Sequence, residues 1–119
     1  MSRFLFVGLG GAIGAMLRYG ISLIPVKTSF PILTLLTNVA GAVLIGMVVA
    51  MSMKYVNVSA NTILLLKTGV CGGFTTFSTF SLESFNLIQG KSGFSAVCYI
   101  AFSVCLCIMG VWAGEQLIR

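Results

Sequence analysis

The second hydrophobic run is the feature that most limits what this chain can fold into. Residues Phe30 to Met53 form 24 consecutive positions without a charged side chain. About 20 apolar residues are enough for a helix that crosses the hydrocarbon core of a membrane. Only 8% of the 119 residues are charged and 58% are hydrophobic, whereas a soluble domain carries about 25% charged residues. The sequence therefore predicts an integral membrane protein.

Four hydrophobic segments divide the chain, at about residues 4–24, 30–53, 62–87 and 94–118. The links between them (PVKTS, KYVNVSA and QGKSG) are short and contain lysine with turn-forming residues. No stretch is left for a soluble domain, and the first segment is interpreted as a retained span rather than a signal peptide. We predict one all-α domain, residues 1–119, with four transmembrane helices.

The composition argues against several classes of function. Histidine is absent, and the four cysteines have no CxxC spacing, so zinc and redox motifs lack support. There is no nucleophile–base pair and no pair of carboxylates, so we expect no enzyme. The seven basic residues are scattered, which predicts contact with membrane lipid at helix ends and no nucleic-acid partner.

The basic residues also give no clear membrane orientation. They divide almost evenly between the two sides, with Arg3, Lys54, Lys67 and Arg119 on one side and Arg18, Lys27 and Lys91 on the other. With so small a difference in charge, the positive-inside rule favours neither orientation clearly. A chain without a preference can insert both ways, and two opposite copies can pair about an axis in the membrane plane. Because four helices leave little room for a polar route, we expect any solute path to run between subunits.

The stretch GGFTTFSTFS (Gly72 to Ser81) is rich in hydroxyl groups at membrane depth. Its phenylalanines recur every three residues, which rules out an ordinary strand and keeps Phe77 and Phe80 on one helical face. The Gly72–Gly73 and Thr75–Thr76 pairs weaken a helix, so we predict a break near the centre of the third helix. Such a break exposes carbonyl oxygens, which suit a small hard cation, and is tolerated only inside protein or beside a polar cavity.

Other polar residues within the spans are functional candidates because burying them in a membrane is costly. They are Asn38, Arg18, and the one-face series Tyr99, Ser103 and Cys107. Their structural alternatives are an interhelical hydrogen bond for Asn38, snorkelling for Arg18, and hydroxyls bonded to their own helix. Amide and hydroxyl donors and the positive edges of phenyl rings can solvate a small anion. Because full positive charges are missing from this expected pathway, the anion would not be trapped, as conduction requires.

Three motifs, GGAIGAMLRY, TNVAG and GVCGGFTTFSTFS, and the layout of the whole chain resemble the Fluc/CrcB fluoride channels. The resemblance implies an antiparallel, dual-topology homodimer with two pores that are selective for fluoride over chloride. It implies passive export of cytoplasmic fluoride across a bacterial plasma (inner) membrane. It also implies a third helix that is broken at its centre.

The same resemblance implies roles for individual residues. Fluoride would pass Asn38, Phe77, Phe80, Tyr99 and Ser103. The backbone carbonyls of Gly72 and Thr75, with those of a second copy, would hold a structural sodium ion at the dimer centre. Arg18 and Glu83 match family residues that would be vestibule or helix-end charges. Cys107 stands where some members have a further serine, and a thiol is the weaker donor.

Two alternatives explain part of the sequence. A proton-coupled exporter of the small multidrug-resistance type is also short and four-helical, but it needs a carboxylate deep in the first span. The only acids here are Glu83 and Glu115, toward helix ends. A non-transporting assembly subunit would explain the GxxxG pairs, which typically pack helices in lipid, but not the donor-rich third segment.

Overall fold

The computed structural model describes all 119 residues, Met1–Arg119, and contains helices but no strands. The first helix, α1, spans Ser2–Ser22 and ends shortly before Pro25, which cannot continue it. The second, α2, spans Ile32–Lys54 and begins directly after Pro31. Each is one uninterrupted helix long enough to cross a membrane.

The third hydrophobic segment has irregular helical geometry. It starts as a short α-helix, Ala60–Ile63, continues as a π-helix, Leu64–Cys71, and ends in one turn, Gly72–Phe74; this continuous stretch, residues 60–74, is called α3. Thr75 and Thr76 then have extended backbones, with ψ angles of 157° and 119°. The chain becomes helical again in α4, Phe77–Gln89.

The last helix, α5, spans Gly93–Ile118 and follows a tight turn in which Lys91 has a φ of 62°. Four segments of the chain are therefore long and apolar enough to cross a membrane: Ser2–Ser22, Ile32–Lys54, Ala60–Gln89 and Gly93–Ile118. The predicted all-α class with four membrane-spanning segments is confirmed.

Glycines bring the helices together in two pairs. A Cβ atom at Gly10 of α1 would lie 2.8 Å from the Gly69 Cα atom, and one at Gly73 would lie 2.5 Å from the Gly11 carbonyl oxygen. In the second pair, a Cβ at Gly114 of α5 would lie 3.0 Å from the Met47 amide nitrogen of α2. Backbones therefore touch directly along α1–α3 and along α2–α5. The three GxxxG pairs of the sequence are Gly10–Gly14, Gly69–Gly73 and Gly110–Gly114. Their close contacts confirm that they pack helices.

The core of a single chain is small and centres on Tyr99, whose exposed fraction is 0%. Leu35, Leu87 and Ala96 surround it, so α2, α4 and α5 meet there. Only 18 of 119 residues are buried, and the many exposed apolar side chains need lipid or another chain to cover them. At one end of the bundle, the Lys54 ammonium donates to the Ile118 carbonyl over 2.7 Å, which joins the ends of α2 and α5.

Candidate functional site: a polar track beside an interrupted segment

The Asn38 side chain is bonded to the backbone where the third segment loses its helical form. Its Oδ1 atom accepts a hydrogen bond from the Thr76 amide over 2.9 Å, and its Nδ2 group donates to the Thr76 carbonyl over 3.2 Å. Because water is absent at membrane depth, these two backbone groups need such partners. One Nδ2 hydrogen remains free to donate elsewhere, since an amide nitrogen carries two.

Some of the carbonyl groups near this point accept hydrogen bonds and others do not. The Arg18 Nε group donates to the Gly73 carbonyl over 3.2 Å, and both the amide and the hydroxyl of Thr75 donate to the Cys71 carbonyl. Neither the Thr75 nor the Thr76 amide bonds to the Gly72 carbonyl, and the Thr75 carbonyl accepts no hydrogen bond. Arg18 therefore caps the C-terminal end of α3, while the Thr75 oxygen is left free.

Thr76 also starts the following helix. Its hydroxyl accepts a hydrogen bond from the Thr79 amide over 3.2 Å, which is the usual bond of a helix N-cap residue. The sequence reasoning did not assign Thr76 a role of its own. A threonine directly before a helical run is typical of an N-cap, so this role could have been predicted from the sequence.

Aromatic rings connect α4 to α5. The centroids of Phe77 and Phe80 are 5.5 Å apart, and those of Phe80 and Tyr99 are 5.2 Å apart. The Tyr99 hydroxyl donates to the Glu83 Oε1 atom over 3.1 Å. The structure thus joins Phe77, Phe80, Tyr99 and Glu83 into one continuous series of contacts.

A cavity of about 470 Å³ lies between α2, α3, α4 and α5. Six of the predicted site residues line it: Asn38, Gly72, Thr75, Phe77, Phe80 and Ser103. Cys107 and Lys67 line it too. Ser103 is buried, with an exposed fraction of 6%, and its hydroxyl has no hydrogen-bond partner. The cavity therefore presents an unused donor in otherwise apolar surroundings.

The remaining predicted residues lie outside this cavity. Tyr99 is enclosed in the core next to it. Glu83 lines a second, more polar cavity of about 440 Å³ beside the link between α1 and α2. Arg18 lies on the α1 side of α3, bonded to Gly73. The sequence marks Lys67 only as a charge that bears on membrane orientation, and the structure places it on the lining of the main cavity.

The arrangement offers donors in series rather than reacting groups. An amide, hydroxyls and phenyl edges all present positive charge density, and none of the cavity-lining residues is acidic. The fold and site together define an all-helical integral membrane protein with four candidate membrane spans and a mainly apolar cavity that a few donor groups line.

The chain belongs to the CrcB-like family: the model of the family described as "CrcB-like protein, Camphor Resistance (CrcB)" matches residues 5–115. It is similar to a protein of Shewanella woodyi named "Fluoride-specific ion channel FluC", with 43% identity over 99% of this chain and 97% of the relative.

Two further relatives carry the same name. The one from Ruminiclostridium cellulolyticum is 42% identical over 100% of this chain and 94% of its own length. The one from Rhizobium meliloti is 40% identical over 100% of this chain and 98% of its own length. Since the chain belongs to this family and these relatives are named as ion channels, the expectation that the chain is not an enzyme is confirmed.

Proposed function

We propose that this protein is a fluoride-selective ion channel that exports cytoplasmic fluoride passively. The observation that carries the proposal is the single cavity shared by Asn38, Phe77, Phe80 and the unpartnered Ser103 hydroxyl. The names of the relatives, which are 40–43% identical, support it.

The chemistry of the cavity suits a small, strongly hydrated anion. Removing water from such an ion is costly, so the protein must replace the lost hydrogen bonds in steps. The free Nδ2 hydrogen of Asn38 and the Ser103 hydroxyl are donors, and the ring edges of Phe77 and Phe80 add weak positive potential. We assign Tyr99 to the same path, as the link between these rings and Glu83.

The interruption at Thr75 and Thr76 is proposed to be the functional break of the third helix. Its free carbonyl oxygens fit a structural sodium ion, because oxygen atoms are the ligands that hard cations take. In this chain the Thr75 carbonyl accepts no hydrogen bond, and the threonine amides leave the Gly72 carbonyl unused. Two carbonyl oxygens are too few for a full shell, so a second copy would supply the rest. A bound sodium ion would add fixed positive charge near the fluoride path.

That second copy is proposed to be antiparallel. The interruption lies at the surface of a single chain, where Gly72 is exposed and Phe77 has an exposed fraction of 78%. An antiparallel partner would cover this surface, close the open side of the cavity and produce two equivalent pores. The rest of the apolar surface would contact lipid in a bacterial inner membrane, and no nucleic acid would take part.

The function is tested by fluoride efflux from liposomes that contain purified protein, read with a fluoride electrode. We expect rapid efflux once a potassium ionophore removes the opposing voltage, with chloride retained in a parallel sample. Retained fluoride, or chloride efflux at the same rate, would contradict the proposal. The small multidrug-resistance alternative is not favoured by the comparisons.

The sodium site has a separate test. Replacing sodium by N-methylglucamine, which is too large for a carbonyl shell, should lower the thermal stability of the purified dimer because ligands of the native state stabilise it. Restoring sodium should reverse the loss. A dimer with the same melting temperature in both buffers would argue against a structural sodium ion.

A further inference from the structure

Lys67 is the only residue with a charged side chain on the lining of the main cavity. It lies in the π-helical part of α3, one turn before Cys71 and about two turns before Thr75, and all three line the cavity. Lys67 thus lies at a distance from the predicted fluoride residues near Thr76, on the part of α3 that is closer to Ala60. No acidic side chain lines the cavity to neutralise it.

The Lys67 ammonium also has no partner elsewhere. Three basic groups have partners: Arg18 donates to the Gly73 carbonyl, Lys54 donates to the Ile118 carbonyl, and Arg119 pairs with Glu115. Arg3, Lys27 and Lys91 have none, like Lys67, but they do not line the cavity. Lys67 forms no ion pair and no hydrogen bond, and it is exposed. Its charge is therefore available to a mobile ion in the cavity.

A second observation on the same cavity also points to a ligand with acceptor atoms. The Ser103 hydroxyl is buried, lines the cavity and has no hydrogen-bond partner. A buried hydroxyl without a partner is costly, so an acceptor in the cavity would offset that cost. A free cation and an unused donor share one apolar cavity, and a small anion is the species that satisfies both.

We propose that the Lys67 end of the cavity is an entry site for small hydrated anions, which feeds the inner fluoride residues. This inference rests on the proposed channel function and adds a residue that the predicted path does not include. A charge in a cleft with low-dielectric walls raises the local concentration of counter-ions, and the effect falls as ionic strength rises. If Lys67 only snorkels toward the membrane surface, its removal will show no such salt dependence.

The test compares Lys67→Gln, Lys67→Arg and Lys67→Glu with the wild type in fluoride efflux. Measurements are made at about 10 mM and about 300 mM ionic strength, where the Debye length changes from about 30 Å to below 8 Å. We expect Lys67→Gln to lower efflux about threefold to tenfold at low ionic strength. The deficit should shrink at high ionic strength, with Lys67→Glu slower still and Lys67→Arg near wild type. Lys27→Gln, in the link between α1 and α2, is the matched control because Lys27 lies outside the cavity.

Equal deficits at both ionic strengths, or no deficit in Lys67→Gln, would overturn the entry site while wild-type efflux keeps the channel proposal intact. Absence of efflux in the wild type would instead reject the proposed function. In that case the ¹⁵Nζ signal of Lys67 in micelles still tests the site. A shift on titration with sodium fluoride that exceeds the shift of Lys27 supports an anion site, and an equal shift overturns it.

Discussion

Asn38 illustrates what a residue type can predict and what only geometry supplies. An amide at the centre of an apolar span predicts a functional or bonding role, because an unpaired amide is too costly there. Its partner cannot be read from the chain, since Thr76 is far away in sequence and lies where the local helix stops. The structure shows the bonding role directly, and the position of Asn38 on the cavity leaves the proposed role in the fluoride path compatible with it. The Asn38 side chain holds the backbone at the interruption and keeps one donor for the cavity.

Replacing Asn38 by alanine should therefore reduce fluoride efflux strongly while the dimer still assembles. The change removes a donor from the cavity and leaves the Thr76 amide and carbonyl unpaired, at a cost of about 1–3 kcal/mol for each buried group. We expect at least about a tenfold loss of efflux rate. Asn57→Ala, on the exposed link between α2 and α3, is the control. Wild-type efflux from Asn38→Ala liposomes would exclude Asn38 from the path.

Phe80 permits a second test at the scale of one side chain. Its ring contacts both Phe77 and Tyr99, and isoleucine keeps most of the volume but has no positive ring edge. Phe80→Ile should lower efflux by about tenfold, which corresponds to about 1.4 kcal/mol. Phe85→Ile is the control on the same helix, because Phe85 is exposed away from these rings. An equal loss in both variants would point to a general packing defect.

At the scale of helices, the glycine contacts could be predicted from the sequence, whereas the π-helical geometry of α3 could not. Small residues spaced four apart predict close packing of helices in a membrane. Gly10, Gly69 and Gly114 all lie at such close contacts. The π-helical turns of α3 have no comparable signal, because Leu64–Cys71 is an ordinary apolar sequence. The hydrogen-bond register of this stretch, which packs on α1 through Gly69, is therefore seen only in the structure. That register decides which side chains of α3, including Lys67, reach the cavity.

The α1–α3 contact should be broken by one methyl group. In Gly10→Ala the new Cβ would overlap the Leu65 carbonyl and the Gly69 backbone, so we expect about 1–3 kcal/mol lower stability. Gly8→Ala is a matched control on the same helix, because no atom of another helix lies within 4 Å of its Cβ position. Alanine favours a helix over glycine by about 0.5–1 kcal/mol, so this control should be unchanged or more stable. Unfolding in mixed micelles, followed by circular dichroism, measures both, and equal stability of the two variants would contradict the packing argument.

At the scale of the whole molecule, the charges lie in two nearly balanced groups. The Lys54–Ile118 contact puts the C-terminal ends of α2 and α5 together, so Lys54 and Arg119 share one end of the bundle. Lys27 and Lys91 lie in the links at the other end. The number of basic residues on each side of the membrane could be predicted from the sequence, because the number of helices and the order of the links determine which side each residue lies on. A difference in positive charge between the loops on the two sides normally sets the orientation of a membrane protein. In this chain that difference is almost zero.

We therefore expect newly made chains to insert in both orientations in about equal numbers. Cys71, Cys98, Cys105 and Cys107 would be changed to serine and Asn57→Cys introduced in the link between α2 and α3. A membrane-impermeant maleimide should then label about half of the chains in intact cells, and the rest only after permeabilisation. Adding lysines to this link should move the labelled fraction toward zero, since positive loops stay inside. Complete labelling, or none, in the unbiased chain would rule out dual topology and with it the antiparallel dimer on which the two-pore proposal depends.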